Sequence, residues 1–292
     1  MTARRRAWLI ATFVGVLLLA VTAVGVLYLR DEPIPRLARA SAAAPTAFGP
    51  YETRFEPGWL PRGFALEHRW SQTTQQGYLA QRRGDHEGER IQIQLGPRDG
   101  TLLGFRAPRR PTWKGLAIPG AVYLLWEWAP GAPALVEVGN RKDARQVAQR
   151  VAASLRITGP QPVRYPFTVR QPAGYTVQIT STFHETDGTV RSSVGFGPGD
   201  PDVDIGVLVY PSEPPLLSAN TTVRGLPAWV YVADQYASVD VQLAHAVAQV
   251  SCHHPDQPAA DLRAACLATA ETVRLVGDPR NPATWRTPPV HR

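Results

Sequence analysis

The sequence lacks the short motifs that mark most hydrolase and metalloprotease active sites. It has no G-x-S-x-G nucleophile elbow, no H-E-x-x-H motif and no S-x-x-K followed by its usual partners. Cysteine is scarce as well, with two residues in a chain of 292. We therefore predict a protein that is not an enzyme and that has no catalytic residues, metal or cofactor.

The positive charge of the chain is not arranged as in proteins that bind nucleic acid. The formal net charge is +7, but the arginines are scattered instead of forming a basic stripe. Hydrophobic residues make up 44% of the chain and charged residues 19%, which is typical of a folded protein with a core. We predict one or two ordinary domains and no nucleic-acid partner.

The first 30 residues have the pattern of a membrane anchor. Residues 7–29 form an apolar run without a charge, long enough to cross the hydrocarbon core as a helix. The arginines at positions 4–6 predict that residues 1–6 are cytoplasmic. The sequence thus predicts a single-pass protein of the cell membrane, held in the bilayer by residues 7–29, with its globular part extracytoplasmic. The alternative is a cleaved signal peptide, which exports the same globular part.

Two segments have the composition of flexible connections. Residues 30–56 carry prolines, alanines and scattered charge without apolar periodicity, which predicts a stalk. Residues 278–292 form a proline-rich tail. Between these segments we place the folded part, in two units at 57–159 and 160–277.

The two units share an order of sequence features. The first opens with "LPRGFALEHRW" and the second with "QPAGYTVQITS", each a Pro-x-Gly-aromatic turn before strand-like alternation. Gly63 and Gly115 are 52 residues apart, and Gly174 and Gly225 are 51 apart. Each unit ends on a helical pattern. The sequence therefore predicts an α+β fold of two tandem repeats, each an antiparallel sheet with one C-terminal helix packed on it.

The two cysteines are predicted to form a disulfide. Cys252 ends a strand pattern, Cys266 lies on the inward stripe of the following helix, and an exported protein meets an oxidising environment. Next to Cys252, His253 and His254 are adjacent, so in an extended chain they point to opposite faces and lack metal-site spacing. A metal site and free thiols remain as alternatives.

One acidic stretch has part of the spacing of a calcium loop. Asp202, Asp204 and Glu213 fall at the first, third and twelfth positions. However, Gly206 and Val207 occupy the fifth and sixth, where an oxygen ligand and a glycine are needed. We interpret the stretch as a strand.

Four tryptophans are the feature that suggests binding. Trp126 and Trp128 are predicted to lie on one face of the same strand, and Trp113 and Trp229 occupy matching regions of the two units. One interpretation is that these side chains pack the helices onto the sheets. The alternative is an apolar groove for a lipid, a glycan or a peptide.

The segment "PGWLPRGF" at 57–64 resembles the start of exported α+β domains with a W-L-P-x-G-aromatic motif. Such domains occur in single-pass membrane proteins of Gram-positive bacteria, actinobacteria among them. In the second unit Arg170 and Gln171 replace the Trp-Leu start. The chain is more distantly similar to periplasmic lipid-sensing regulators of envelope stress and to lipoprotein carriers. The resemblance implies a binding or sensing role and supplies no catalytic residue.

We therefore predict an extracytoplasmic binding, sensing or scaffold protein whose partner is an envelope protein, a lipid or a glycan. One alternative is a carrier of lipid or lipoprotein, which predicts a large apolar cavity under the sheet. Another is an envelope hydrolase with a site assembled from dispersed residues such as His184, His245 and Asp234.

Overall fold

The computed structural model describes residues 36–40, 42–83, 88–115, 121–185, 187–198, 204–212, 219–286 and 288–291. The predicted cytoplasmic arm and anchor at 1–29 lie outside these ranges. Within the ranges, the two α-helices have 11 and 12 residues, or at most about 18 Å of length, against a hydrocarbon core of about 30 Å. No described helix is long and apolar enough to cross a membrane. On this finding the prediction of a single-pass protein of the cell membrane is wrong.

Strands dominate the described residues. In chain order the elements are β1 (Glu52–Glu56), β2 (Phe64–Gln72), β3 (Gln76–Arg82), β4 (Arg90–Leu95), β5 (Thr112–Gly115), β6 (Ala121–Ala129), β7 (Ala132–Gly139), α1 (Ala144–Ser154), β8 (Arg156–Pro162), β9 (Phe167–Arg170), β10 (Thr176–His184), β11 (Val190–Gly197), β12 (Asp204–Pro211), β13 (Thr221–Val223), β14 (Leu226–Ala233), β15 (Tyr236–Gln242), β16 (Ala246–His253), α2 (Ala259–Ala270), β17 (Arg274–Leu275), a 3₁₀ turn (Pro282–Thr284) and β18 (Val290–His291).

Thirteen of these strands form one antiparallel sheet in the order β13-β14-β15-β16-β12-β11-β10-β2-β3-β4-β7-β6-β5. We call β2 to β7 the first half, β10 to β16 the second half, and the β2–β10 pair the seam. At the seam the pairing runs from His68 opposite Phe183 to Gln72 opposite Ile179. The predicted α+β fold of two repeats, each with its own sheet, is therefore wrong. The fold is mostly β. The two halves share one sheet because β2 and β10 would otherwise each be an edge with unpaired backbone groups, and the seam pairs them.

Both helices lie on one face of this sheet, which we call the helix face. Directly paired residues share a face, and a chain of such partners runs from Val207 through Ser71 and Leu95 to Trp126. On that face α1 packs on β6 and β7, and α2 packs on β14, β15 and β16. Hydrophobic side chains point here because the strands alternate between a covered and a less covered side.

The opposite face of the first half is covered as well. Leu102, from the segment between β4 and β5, packs with Tyr123, Leu125 and Leu135 in a small buried cluster, and Phe105 borders it. This coverage explains why all eight residues of β7 are buried.

Residues 37–56, for which the sequence predicted a flexible stalk, pack against the first half. Leu37, Phe48 and Phe55 are buried, and β1 pairs with β8. The backbone N–H of Ala40 donates to the carbonyl of Trp128 at 2.7 Å. The buried side chains Leu37, Ala44 and Phe48 are irregularly spaced because the described residues before β1 have no regular secondary structure.

The proline-rich tail is also ordered where it is described. Trp285 is buried and its indole N–H donates to the carbonyl of Asp278 at 2.8 Å. Farther along, β18 pairs with β9, which also pairs with β17. Backbone pairing thus holds a segment whose composition predicted a loose end.

The predicted disulfide is present. Cys252 on β16 and Cys266 on α2 are bonded, with their Cα atoms 5.8 Å apart. Both side chains are buried in the core of the second half, where Leu262, Val250 and Phe196 also lie. The bond fixes α2 to the helix face of β16.

Candidate functional site on the open face of the sheet

The face of the second half opposite the helices is less covered than any other part of the sheet that the structure describes. Its residues follow two rows of direct pairing partners that cross the strands. One row holds Tyr231, Ser238, Ser251, Gly206 and Gly195, and the other holds Trp229, Asp240, Gln249, Leu208 and Ser193. We call these ten residues, together with the same side of the seam, the open face. Most of them are half-buried, so the face is accessible to a partner while its side chains still pack against one another.

Glycines make the open face flat. The ring of Trp70 lies across Gly77, where any Cβ would overlap it. A Cβ on Gly195 would lie 2.8 Å from Cγ2 of Ile179, and one on Gly206 would lie 2.8 Å from Oγ of Ser251. Neighbouring side chains therefore extend over the glycines, parallel to the sheet, instead of projecting from it. A flat, partly apolar surface of this kind suits an extended partner.

Three aromatic side chains stand at the outer end of the open face, and we call them the aromatic cluster. Trp229 and Tyr231 have ring centroids 5.8 Å apart and planes 14° from parallel, and Tyr236 lies 6.3 Å from Tyr231. Tyr231 is 46% exposed. Because Trp229 and Tyr231 are two residues apart on β14, strand geometry places both rings on the same side. Rigid aromatic rings with exposed faces are typical anchors of binding surfaces.

A carboxylate lies beside the aromatic cluster. Asp240 pairs directly with Trp229, and its Oδ1 accepts a hydrogen bond from Nε2 of Gln249 at 3.1 Å. No Lys, Arg or His side chain of the described residues forms an ion pair with it. Burial raises the pKa of Asp240, and the hydrogen bond from Gln249 opposes this shift.

Aromatic rings also meet at the seam. The ring of His68 stacks on Phe183 with centroids 3.9 Å apart, and it lies 4.9 Å from Trp70. Burial lowers the pKa of His68 to about 4, because the neighbouring rings disfavour the charged imidazolium. Nε2 of His68 has no hydrogen-bond partner among the described residues. The seam therefore places a neutral imidazole in an apolar stack.

A cleft of about 630 Å³ opens at one end of the seam. Polar and charged side chains make up most of its lining, among them Glu67, Arg82, Arg83, His184 and Glu185. Such a lining does not suit a lipid chain. On the helix face beneath the seam, the space beside Tyr165 and Thr180 measures about 10 Å³. Among the described residues at the seam there is no large apolar cavity of the kind expected of a lipid carrier.

The four predicted groove tryptophans do not meet. Trp126 and Trp128 are buried on the helix face, and their indole N–H groups donate to the carbonyls of Ala38 at 2.9 Å and Gly96 at 2.8 Å. Trp113 lies at the sheet edge under the guanidinium of Arg145, 5.3 Å from the ring centroid. Trp229 alone lies on the open face, in the other half.

The dispersed residues considered for a hydrolase lie apart as well. Asp234 and His245 are exposed in the turns at opposite ends of β15, about 20 Å apart at 3.3 Å per residue. His184 ends β10, three strands away from the turn that holds His245. Within the described ranges no group of three or more His, Cys, Asp and Glu side chains could hold a metal ion. Of the calcium-loop residues, Asp202 and Glu213 lie outside those ranges.

Sequence reasoning missed Tyr231, Tyr236 and Asp240. The segment "LPAWVYVADQYASVDVQ" alternates, which predicts two strands but not which face is covered. The sequence did contain a usable signal. Trp229 and Tyr231 are two residues apart, and Gln249 and Ser251, also two apart, are polar residues two strands later in the sequence.

Comparisons with known proteins leave the family open. No family model matches the chain, and no curated protein matches it. Two solved structures are similar over 73% of this chain and 93% of theirs, each at 11% identity and a TM-score of 0.27. They are the crystal structure of MucB in complex with MucA(peri) and the complex structure of Pseudomonas aeruginosa MucA/MucB. At this level of similarity the match decides neither fold nor function.

Proposed function

We propose that this chain is a non-catalytic binding protein of an oxidising, extracytoplasmic compartment, and that it binds a protein partner on the open face. The observation that carries the proposal is the aromatic cluster, where Tyr231 is 46% exposed beside a flat floor of serines and glycines. Aromatic side chains at the surface are enriched where proteins bind each other, because they bury large areas at small entropic cost.

The disulfide supports the proposal that the chain works in an oxidising compartment. A disulfide between the only two cysteines of the chain persists where the surroundings are oxidising, and the cytoplasm of most cells keeps such pairs reduced. Both cysteines are buried, so the bond is structural and the binding surface lies on the other side of the sheet.

Site-specific photo-crosslinking tests the proposal. A benzophenone amino acid at Tyr231 is expected to give a discrete adduct with one protein in cells that naturally produce the chain. The same label at Arg263, which is exposed on α2, is expected to give none. With the adduct identified and purified, Trp229→Ala together with Tyr231→Ala should raise the Kd at least tenfold, as expected for two anchors.

The proposal fails if the labels at Tyr231 and Arg263 give the same adducts, because the contact would then be unspecific. It also fails if the purified partner binds the double variant as tightly as the original chain.

A further inference from the structure

We propose that Asp240 and the aromatic cluster form a binding site for a basic side chain, an arginine or a lysine, carried by an extended segment of the protein partner. This inference rests on the proposed function and adds the chemistry of the anchor. It is carried by charge complementarity at one place on the open face.

The carboxylate of Asp240 is half-buried and has no counter-charge among the residues that the structure describes. Its one described partner is the neutral amide of Gln249, and none of the ion pairs between described residues involves it. Desolvation of a charge without a paired cation costs free energy that an incoming cation would recover.

The geometry fits a cation bonded to a carboxylate and lying on an aromatic ring. Trp229 and Asp240 are directly paired on β14 and β15, so their Cβ atoms are about 5 Å apart and their side chains rise from the same face. A guanidinium over an indole ring within about 6 Å gains a cation–π interaction, and it can donate two hydrogen bonds to a carboxylate at the same time. The chain already uses such stacking, since Arg150 lies 4.1 Å from the ring centroid of Trp59.

The remaining charges near Asp240 favour a cationic partner. Arg191, on the same face and three strands nearer the seam, is paired with Glu185 at 2.9 Å. Asp204, the first residue of β12, adds a second carboxylate to this face, directly opposite His253 on β16. Two carboxylates, Asp204 and Asp240, therefore lie on this part of the open face and disfavour an acidic peptide.

Fluorescence anisotropy with a defined probe tests the inference. The probe is a labelled heptapeptide of alternating serine and arginine, and its matched control carries citrulline, which has the shape of arginine without the charge. At about 0.15 M salt we expect the arginine peptide to bind at least tenfold more tightly than the citrulline peptide, as for a desolvated charge pair. Asp240→Asn and Trp229→Leu should each weaken the arginine peptide at least tenfold.

The control variant is Asp256→Asn, which removes the same charge from an exposed loop. It should change the Kd less than twofold. Equal losses in Asp240→Asn and Asp256→Asn would overturn the inference, because attraction would then be unspecific. Equal binding of the citrulline peptide, or undiminished binding to Asp240→Asn, would overturn it too. If an oligosaccharide binds the cluster and neither peptide does, the cation site is wrong. Failure here with adducts still formed at Tyr231 would leave the proposed function standing.

Discussion

The two halves of the sheet place their strands in a similar order outward from the seam, but they are completed differently. In the first half, α1 and residues 37–40 and 42–48 cover the helix face, and Leu102 with its neighbours covers the other. In the second half α2 covers the helix face and the opposite face stays accessible. Although the strand order is similar, both faces of the first half are covered, whereas the second half keeps one accessible face.

The two helices show the same contrast. Among its buried residues α1 has Val147 and Val151, and Arg145 and Arg150 lie over tryptophan rings on either side of it. The apolar residues that α2 buries are Leu262, Cys266 and Ala270, and Cys266 also links it covalently to β16. The comparison shows that packing alone holds the first helix on the sheet, whereas the second has packing and a covalent bond.

The largest expected effect is the difference in the free energy of unfolding between a variant of a buried tryptophan and one of a tryptophan on the open face. Trp126 is fully buried and donates to the carbonyl of Ala38, so Trp126→Ala should lower the free energy of unfolding by about 3–5 kcal/mol. Trp229→Ala, on the open face, should cost less than about 1 kcal/mol. Urea unfolding of both variants checks this. Similar losses would mean that the open face belongs to the core.

The next effect tests how far α2 depends on its covalent link. The cysteines are 14 residues apart, and opening a ring of that size should cost about 3 kcal/mol in the chain-entropy model. In Cys252→Ala combined with Cys266→Ala, hydrogen exchange should accelerate in α2 and leave α1 largely protected. Equal acceleration in both helices would show that the halves open together.

The smallest effect concerns pH at the seam. The pKa of His68 is about 4 when folded and 6.5 as a free side chain, so protons bind the unfolded chain more tightly. The free energy of unfolding therefore keeps the full contribution of His68 above pH 6.5. It falls as the pH decreases towards 4, by about 1–2 kcal/mol after allowance for the partial exposure of His68.

His68→Phe keeps the stack on Phe183 and should flatten this decline, as measured by urea unfolding between pH 7 and pH 4. His245→Asn, in an exposed turn, is the matched control and should leave it unchanged. A decline that persists in His68→Phe would assign it to another group, such as His184, whose pKa burial also lowers.

The sequence predicted those features that have a local signature. Gly63 and Gly174 adopt φ values of 88° and 80°, as Pro-x-Gly turns before strands require. The disulfide was confirmed as well. The pairing of β2 with β10 could not be predicted, because any strand edge can pair with any other and no residue type marks the choice.

The site was less predictable than the strands. Trp126 and Trp229 both lie in alternating segments, and alternation does not say which side of a strand will be covered. That depends on residues far along the chain, such as Leu102 over the first half. The open face is thus a product of long-range packing, and only its aromatic residues could be found from sequence.

The seam has a consequence for any attempt to divide the molecule. Each half, produced alone, would expose β2 or β10 along its whole length, with backbone donors and acceptors ready to bond to a neighbour. Because β2 and β10 pair antiparallel, a strand of this kind can also pair with a second copy of itself. A fragment of this chain would therefore tend to self-associate through that edge, and neither half is a portable module.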